Sequence, residues 1–320
     1  MSKSNFDFNK IKGAALAPMA GVADSAFREI CRSYGAVFTV TEMISAKALC
    51  FQDKKSRELM SFTEGERPCG IQLFGSEPEI MARAAMFAAE YDPDFIDINM
   101  GCPVPKVAGN GCGSALMKSP ELAGEIIKAV TTAVDLPISV KIRKGWDNNI
   151  VNAVEIALIA QDNGAAAVAV HGRTKAQGYA GEADREIIRQ VRERLKIPVI
   201  ANGGIMSAKD AEEMKKAAGC ELIMVARGAL GNPFIFAEIA SGCPEPTVEE
   251  RMETMIRQCE MTCERRGEKR GILDCRKHAA WYIKGVQGAA AFRKRAVTAK
   301  DLVEFKVLAQ EVIENIERKR

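Results

Sequence analysis

The 320-residue chain reads as an α/β protein: a (β/α)8 TIM barrel followed by a small C-terminal helical bundle. Eight short, β-rich apolar runs alternate with helical patterns through the first three quarters of the sequence, as in a parallel sheet closed into a barrel. Nearly every run finishes on a polar residue, where barrel enzymes place their chemistry. Beyond the Pro-rich break Ser241-Gly242-Cys243-Pro244-Glu245-Pro246, every remaining pattern is helical. The alternative is an open doubly wound sheet. Against it, Ala17-Pro18-Met19-Ala20-Gly21 follows the first strand in place of a G-x-G-x-x-G turn.

In chain order, strands are expected at Ala14–Met19, Val37–Thr41, Cys69–Leu73, Phe95–Asn99, Ile138–Lys141, Ala167–His171, Val199–Asn202 and Leu222–Ala226. Helices are expected between them at Asp24–Tyr34, Glu77–Tyr91, Glu121–Val134, Ile150–Asn163, Asp184–Leu195 and Ala208–Ala218. Ser119-Pro120 and Ser207 are start signals, and Gly35, Gly164 and Gly219 are stop signals. Between the second and third strands only Lys54–Met60 looks helical. The C-terminal patterns are Val248–Arg265, Asp274–Gln287 and Thr298–Ile316. Two domains follow, residues 1–240 as the barrel and 241–320 as the helical domain.

Composition narrows the setting. Met1 to Lys12 lacks the apolar run of a signal peptide and no stretch approaches a membrane span, so a cytoplasmic, monomeric protein away from membranes is expected. Ten irregularly spaced cysteines then read as reduced thiols. Cys259 and Cys263 lie four apart on a helix with Cys275 beyond them; without an evident fourth ligand, they read as core or surface thiols. The net charge of +3 does not itself argue for nucleic acid. Its distribution does, because Arg265 to Lys300 holds eleven Lys/Arg against Glu268 and Asp274, a local +9 that suggests a basic binding surface.

The stretch around which the chain is organised is Ile96-Asp97-Ile98-Asn99-Met100-Gly101-Cys102-Pro103, with Val104-Pro105-Lys106 after it. Strand alternation breaks at Gly101 and Pro103, delivering Asn99 and Cys102 where a strand becomes a loop. That loop runs to about Ser119 without a clear helical period and reads as a lid. Cys102 is either a reactive thiol or a buried structural one.

Taken together, the strand ends carry Met19, Glu42, Gln72, Asn99, Cys102, Lys141, His171, Arg173, Asn202 and Arg227. Glu42 reads as mainly structural. The set is poor in acids and rich in amides, cations and glycines, which suits an anionic, hydrogen-bonding cofactor and argues against a metal site. Gly203-Gly204 and Arg227-Gly228 precede helices, so their N–H groups can meet a phosphate. Flavin mononucleotide (FMN) fits, with Gln72 reading the ring edge and Lys141 beside the ring's anionic side.

In order, these motifs resemble the tRNA-dihydrouridine synthases, particularly their bacterial B-type branch. The matching segments are Ala17-Pro18-Met19-Ala20-Gly21-Val22, Thr41-Glu42-Met43, Gln72-Leu73-Phe74-Gly75, Asn99-Met100-Gly101-Cys102-Pro103, Val140-Lys141-Ile142-Arg143, His171-Gly172-Arg173-Thr174, Asn202-Gly203-Gly204-Ile205 and Ala226-Arg227-Gly228 through Gly231-Asn232-Pro233. Arg276-Lys277-His278 through Tyr282-Ile283-Lys284-Gly285 continue the match. The chain departs from the family at Gly204, usually an acid, and at Ala226, often a glycine.

The resemblance implies FMN-dependent reduction of selected tRNA uridines by NADPH, favouring the D-loop. It implies Cys102 as general acid, and Pro18, Met19, Ala20, Gln72, Lys141, His171, Asn202, Gly203, Gly204, Ala226 and Arg227 around the flavin. Asn99, Lys106 and Arg173 would touch the substrate, with Arg293, Lys294 and Arg295 holding the tRNA. Lys277, Trp281 and Lys284 share a helix face, so Trp281 is either a stacking ring or part of the helical core. Two rivals remain: a small-molecule FMN oxidoreductase of the same barrel type, and a non-catalytic RNA-binding flavoprotein.

Overall fold

The computed structural model describes residues 6–317; the start of the Met1–Lys12 segment and the last three residues of the C-terminal region lie outside them. Strands β1 (Gly13–Leu16), β2 (Thr39–Val40), β3 (Ile44–Ser45), β4 (Cys69–Phe74), β5 (Phe95–Met100), β6 (Ile138–Gly145), β7 (Ala167–Thr174), β8 (Val199–Asn202) and β9 (Leu222–Val225) form one parallel sheet. Its order is β1-β9-β8-β7-β6-β5-β4-β2, with β3 also on β4. Backbone bonds from Leu16 N to Phe38 O at 3.1 Å and Val37 N to Ala14 O at 2.9 Å join the two ends, so the expected barrel is formed.

Alternation along each strand sorts the side chains into two layers. Ala14, Leu16, Ile71, Leu73, Ile96, Ile98, Val140 and Val168 face the surrounding helices, whereas Ala15, Phe38, Phe95, Ala167, Ile200, Leu222 and Met224 fill the interior. The lower interior is apolar, with Phe6, Phe8, Phe38 and Phe95 in mutual ring contact. Higher up, the same inward positions turn polar, and Phe95, Asp97 and Asn99 climb β5 two residues at a time. The polar rim is therefore a continuation of the core.

The helices around the barrel are α1 (Ser25–Ser33), α2 (Ala46–Cys50), α3 (Lys54–Met60), α4 (Pro78–Ala89), α5 (Pro105–Ala108), α6 (Pro120–Ala133), α7 (Ala153–Asp162), α8 (Arg185–Arg194), α9 (Ala208–Ala218) and α10 (Ile235–Ser241). Asp24 Oδ1 caps α1 through Phe27 N, and Ser207 Oγ caps α9 through Asp210 N. Gly219, with φ of 65°, supplies the left-handed stop of α9.

Four expectations are corrected. The second strand is shorter than Val37–Thr41, because Thr41 turns its hydroxyl into the ladder and accepts Gln72 N–H at 3.0 Å; β3 then resumes the pairing. Helices α2 and α10, of five and seven residues, are absent from the expected set. The loop after β5 carries helical structure that its sequence does not announce: α5 follows Cys102, and the 3-10 turn Gly113–Lys118 buries Leu116 and Met117. Finally, the C-terminal region has four helices, α11 (Val248–Arg266), α12 (Glu268–Tyr282), α13 (Ala289–Ala296) and α14 (Leu302–Glu317). Gly285 and Gly288, at φ of 86° and 74°, set α13 apart from α12, in a stretch that the expected patterns Asp274–Gln287 and Thr298–Ile316 leave unassigned.

These four helices hold a second apolar core, including Met252, Met255, Phe305, Leu308 and all three cysteines Cys259, Cys263 and Cys275. The Pro-rich break before α11 is largely exposed, and a Thr247–Glu250 capping box starts the helix. The C-terminal helices rest on α1: Tyr34 Oη lies 2.8 Å from Thr254 Oγ1, and Arg265 meets Glu29 at 2.6 Å. Among the described residues, no helix is long and apolar enough to cross a membrane.

Candidate active site on the barrel rim

Register places the polar strand ends side by side: Gln72 beside Asp97, Asn99 beside Lys141, Arg143 beside His171, and His171 beside Asn202. Their side chains form two hydrogen-bonded clusters, one around Gln72 and one around Asn202. Gln72 Nε2 donates to Asp97 Oδ2 at 2.6 Å, and Gln72 Oε1 accepts from Asn99 Nδ2 at 2.8 Å. Ser139 Oγ donates to Asp97 Oδ1 at 2.5 Å. Lys141 Nζ donates to Asn202 Oδ1 at 3.1 Å, and Asn202 Nδ2 donates to Met224 O at 2.7 Å. Each amide is thereby fixed in orientation.

Asn99 also shapes the loop. Its Oδ1 accepts the N–H groups of Gly101 and Cys102 at 3.1 and 2.9 Å, and Arg143 Nε donates to Gly101 O at 2.8 Å. Cys102 is half-buried. Burial pushes its thiol above the usual range, and the Val104 backbone and the Arg143 guanidinium only partly oppose this. The group is a protonated thiol at neutral pH, suited to donating a proton.

On the other side of the mouth, His171, Arg173, Tyr179, Asn202, Gly203, Gly204, Ala226 and Arg227 line one small pocket. Arg173 donates from Nη2 and Nε to Gly181 O at 2.7 and 3.1 Å, and its Nη1 lies 3.3 Å from His171 Nε2. Arg227 packs 4.5 Å from the centre of the Tyr179 ring. Gly203 has φ of 121°, and a Cβ there would sit 2.7 Å from His171 Cδ2, so the backbone is bare at this point by necessity.

The electrostatics are those of an anion site. Burial, then the charges of Lys141, Arg143, Arg173 and Arg227, hold His171 neutral, down to about 2. Burial and Arg143 bring Lys141 down to about 8. Burial raises Asp97 to about 6 against the hydrogen bonds from Gln72 and Ser139. Lys141, Arg173 and Arg227 have no ion pair among the described residues, although Lys144 nearby pairs with Asp184 at 3.3 Å. Unpaired cations, a neutral histidine and bare glycine backbone fit a phosphorylated, hydrogen-bonding cofactor such as FMN.

The sequence-derived set divides in space. Gln72, Asn99, Cys102, Lys141, His171, Asn202, Gly203, Gly204, Ala226 and Arg227 share the rim. Pro18, Met19 and Ala20 join it from the loop after β1, where Gly21 N–H donates to the Glu42 carboxylate. Arg173, read as a substrate contact, lines the pocket with His171 and Gly204. Lys106 is exposed on a separate groove with Ser45, Glu77 and Asn110. Arg293 and Lys294 are exposed on α13, whereas Arg295 is occupied by Glu311. Trp281 is half-buried and meets His278 edge-on at 5.2 Å, between the two readings offered for it.

Sequence reasoning missed Asp97, Ser139, Arg143 and Tyr179 as members of the site. An acid two residues before Asn99, on the same strand face, is the signal that identifies Asp97.

Comparison with known proteins agrees with this geometry. The profile of the family described as Dihydrouridine synthase (Dus) matches residues 15–318. A protein of Vibrio vulnificus (strain CMCP6) named tRNA-dihydrouridine synthase B is 42% identical over 286 residues, covering 87% of this chain and 88% of its own. One of the same name from Shewanella oneidensis is 41% identical over 274 residues, covering 84% and 85%. The solved structure of histamine dehydrogenase from Rhizobium sp. 4-9 shares the fold, with a TM-score of 0.57 and 14% identity over 81% of this chain and 51% of that one. With a family profile spanning the barrel and the C-terminal helices alike, and relatives above 40% identity over most of both chains, the protein belongs to the dihydrouridine synthase family.

Proposed function

We propose that this chain reduces selected uridines of tRNA to dihydrouridine, with FMN on the barrel rim and NADPH as electron donor. The observation that carries the reading is Cys102: a thiol held protonated by burial, at the root of a loop that Asn99 and Arg143 fix beside the amide and lysine network.

When bound, FMN supplies hydride to C6 of the uracil ring. Cys102 Sγ–H delivers the proton to C5, so the C5=C6 bond gains one hydrogen at each carbon. Gln72 and Lys141 serve the ring edge, with Pro18, Met19, Ala20 and Asn202 around it. His171, Gly203, Gly204, Ala226, Arg227 and, by its position, Arg173 serve the phosphate arm. Asn99 orients the substrate base, and Lys106 stands at the lip of the loop. The uridine leaves its stack to reach a barrel mouth, so the surrounding RNA is held by shape and phosphate. The C-terminal helices, residues 241–320, supply that basic surface, with Arg293 and Lys294 among its exposed cations.

A small-molecule oxidoreductase would have no use for these helices, and a non-catalytic flavoprotein would have none for a positioned acid at Cys102. The test is purified, flavin-loaded protein with NADPH and tRNA from a strain lacking dihydrouridine, read by mass. The parent is expected to add two mass units per modified uridine. Cys102→Ala is expected to keep its flavin reducible by NADPH while product formation falls roughly 10²- to 10⁴-fold. Cys112→Ala is expected to matter much less. Unmodified tRNA with the parent, or full turnover in Cys102→Ala, overturns the reading.

A further inference from the structure

The rim carries a feature that the chemistry above does not use. Lys118 Nζ and Lys175 Nζ both approach the ring of Trp146, at 4.3 and 4.4 Å from its centre. The three residues come from successive βα connections on the active face. Lys118 ends the turn after β5, Trp146 follows β6 directly, and Lys175 follows β7 directly. Backbone bonds lock these connections together: Lys175 N donates to Gly145 O at 3.0 Å and Ala176 N to Trp146 O at 2.9 Å. Asn152 Nδ2 adds a bond to Met117 O at 2.9 Å.

We propose that Lys118, Trp146 and Lys175 form a phosphate-binding station for the RNA substrate, on the side of the barrel mouth opposite the C-terminal helices. Two ammonium groups around one ring repel each other, and neither has a carboxylate partner among the described residues. The negative face of the indole draws both in and offsets part of that repulsion. The outcome is a pair of cations at a defined place, and a polyanion is the ligand that completes it. Because the ring is already engaged by the ammonium groups, the contact offered is charge and not base stacking, and Trp146 acts as a positioning residue.

The placement suits a long substrate. Around the barrel, β6 stands four strands from β1 in either direction, through β9, β8 and β7 or through β2, β4 and β5. The C-terminal helices pack on α1, immediately after β1. RNA crossing the mouth therefore meets cations on both flanks while Cys102, at the end of β5, faces the nucleotide between them. The station rests on the reading of tRNA as substrate.

The test uses full-length, FMN-loaded protein and an unmodified tRNA transcript, titrated at several salt concentrations. Lys118→Gln/Lys175→Gln is expected to raise Kd roughly tenfold and to lower the slope of log K against log salt by about 2. Lys118 is exposed and Lys175 half-buried, and matching melting temperatures will establish that the fold is intact. Trp146→Phe, which keeps an aromatic face, is expected to bind as the parent does, and Trp146→Leu to move part of the way toward the double variant. A parent that binds while the double lysine variant keeps its Kd and slope overturns the station and leaves the substrate reading standing. A Trp146→Leu variant with parental binding overturns the positioning role of the ring. A parent that does not bind tRNA overturns both proposals.

Discussion

Asn99 Oδ1 accepts the backbone N–H of Cys102 at 2.9 Å while its own Nδ2 donates to Gln72 Oε1 at 2.8 Å, so one amide ties the backbone of the Cys102 loop to the Gln72–Asp97 cluster. Asn99→Ala removes both ties at once. Turnover on tRNA is expected to fall by about 10²-fold through misplacement of the acid. Single-turnover kinetics check this, and unchanged product formation would show that Gly101 and Arg143 alone hold the loop.

Lys141 is a buried cation whose protonation bears on stability. Its folded pKa, about 8, lies below the ordinary lysine range near ~10.4, so between these values the unfolded chain binds more protons than the folded one. The sign then follows: this lysine makes the flavin-free protein more stable as pH rises from 8 to about 10, and below 8 it carries the full cost of a buried cation. In Lys141→Met that rise is expected to shrink relative to the parent, and flavin retention at neutral pH to drop. Chemical denaturation across that pH window and flavin absorbance read the two effects separately.

The basic helical surface is narrower than its sequence suggests, because Arg295 is already held by Glu311. Arg293→Glu/Lys294→Glu is expected to weaken tRNA binding and flatten its salt dependence, by about one unit of slope for each phosphate left unneutralised. Adding Arg295→Glu is expected to contribute little more. Equal effects at all three positions would place Arg295 among the RNA-binding cations.

Beneath the interface with the C-terminal helices, Arg28 Nε meets Glu66 Oε2 at 2.6 Å with both side chains buried. Ser25 Oγ also donates to this carboxylate, and Arg265 reaches toward it from α11. Glu66→Ala leaves a buried guanidinium without its partner, at an expected cost of about 3–5 kcal/mol in unfolding free energy. Equilibrium denaturation measures it, and a change under about 1 kcal/mol, the scale of a single hydrogen bond, would mean that Ala23 O and Ser61 O satisfy Arg28 by themselves.

The sequence by itself determined the barrel, the strand ends that carry the rim and the loop that delivers Cys102. Buried parallel strands have to be apolar and short, and a polar residue ending such a strand has few reasons to be there except a site. The same logic missed α2, α10 and α13, short helices whose limits are set by left-handed glycines and packing against neighbours. Only the tertiary structure decided the grouping of the cations. Arg173 and Lys106 are both cations beyond an expected strand end in the sequence, yet the fold places one beside His171 and the other on a separate groove. Arg295 looks as free as Arg293 until α14 brings Glu311 to it. Charge type is written in sequence, but whether a charge is paired, buried or open depends on contacts between residues far apart in the chain, and these exist only once the barrel has closed.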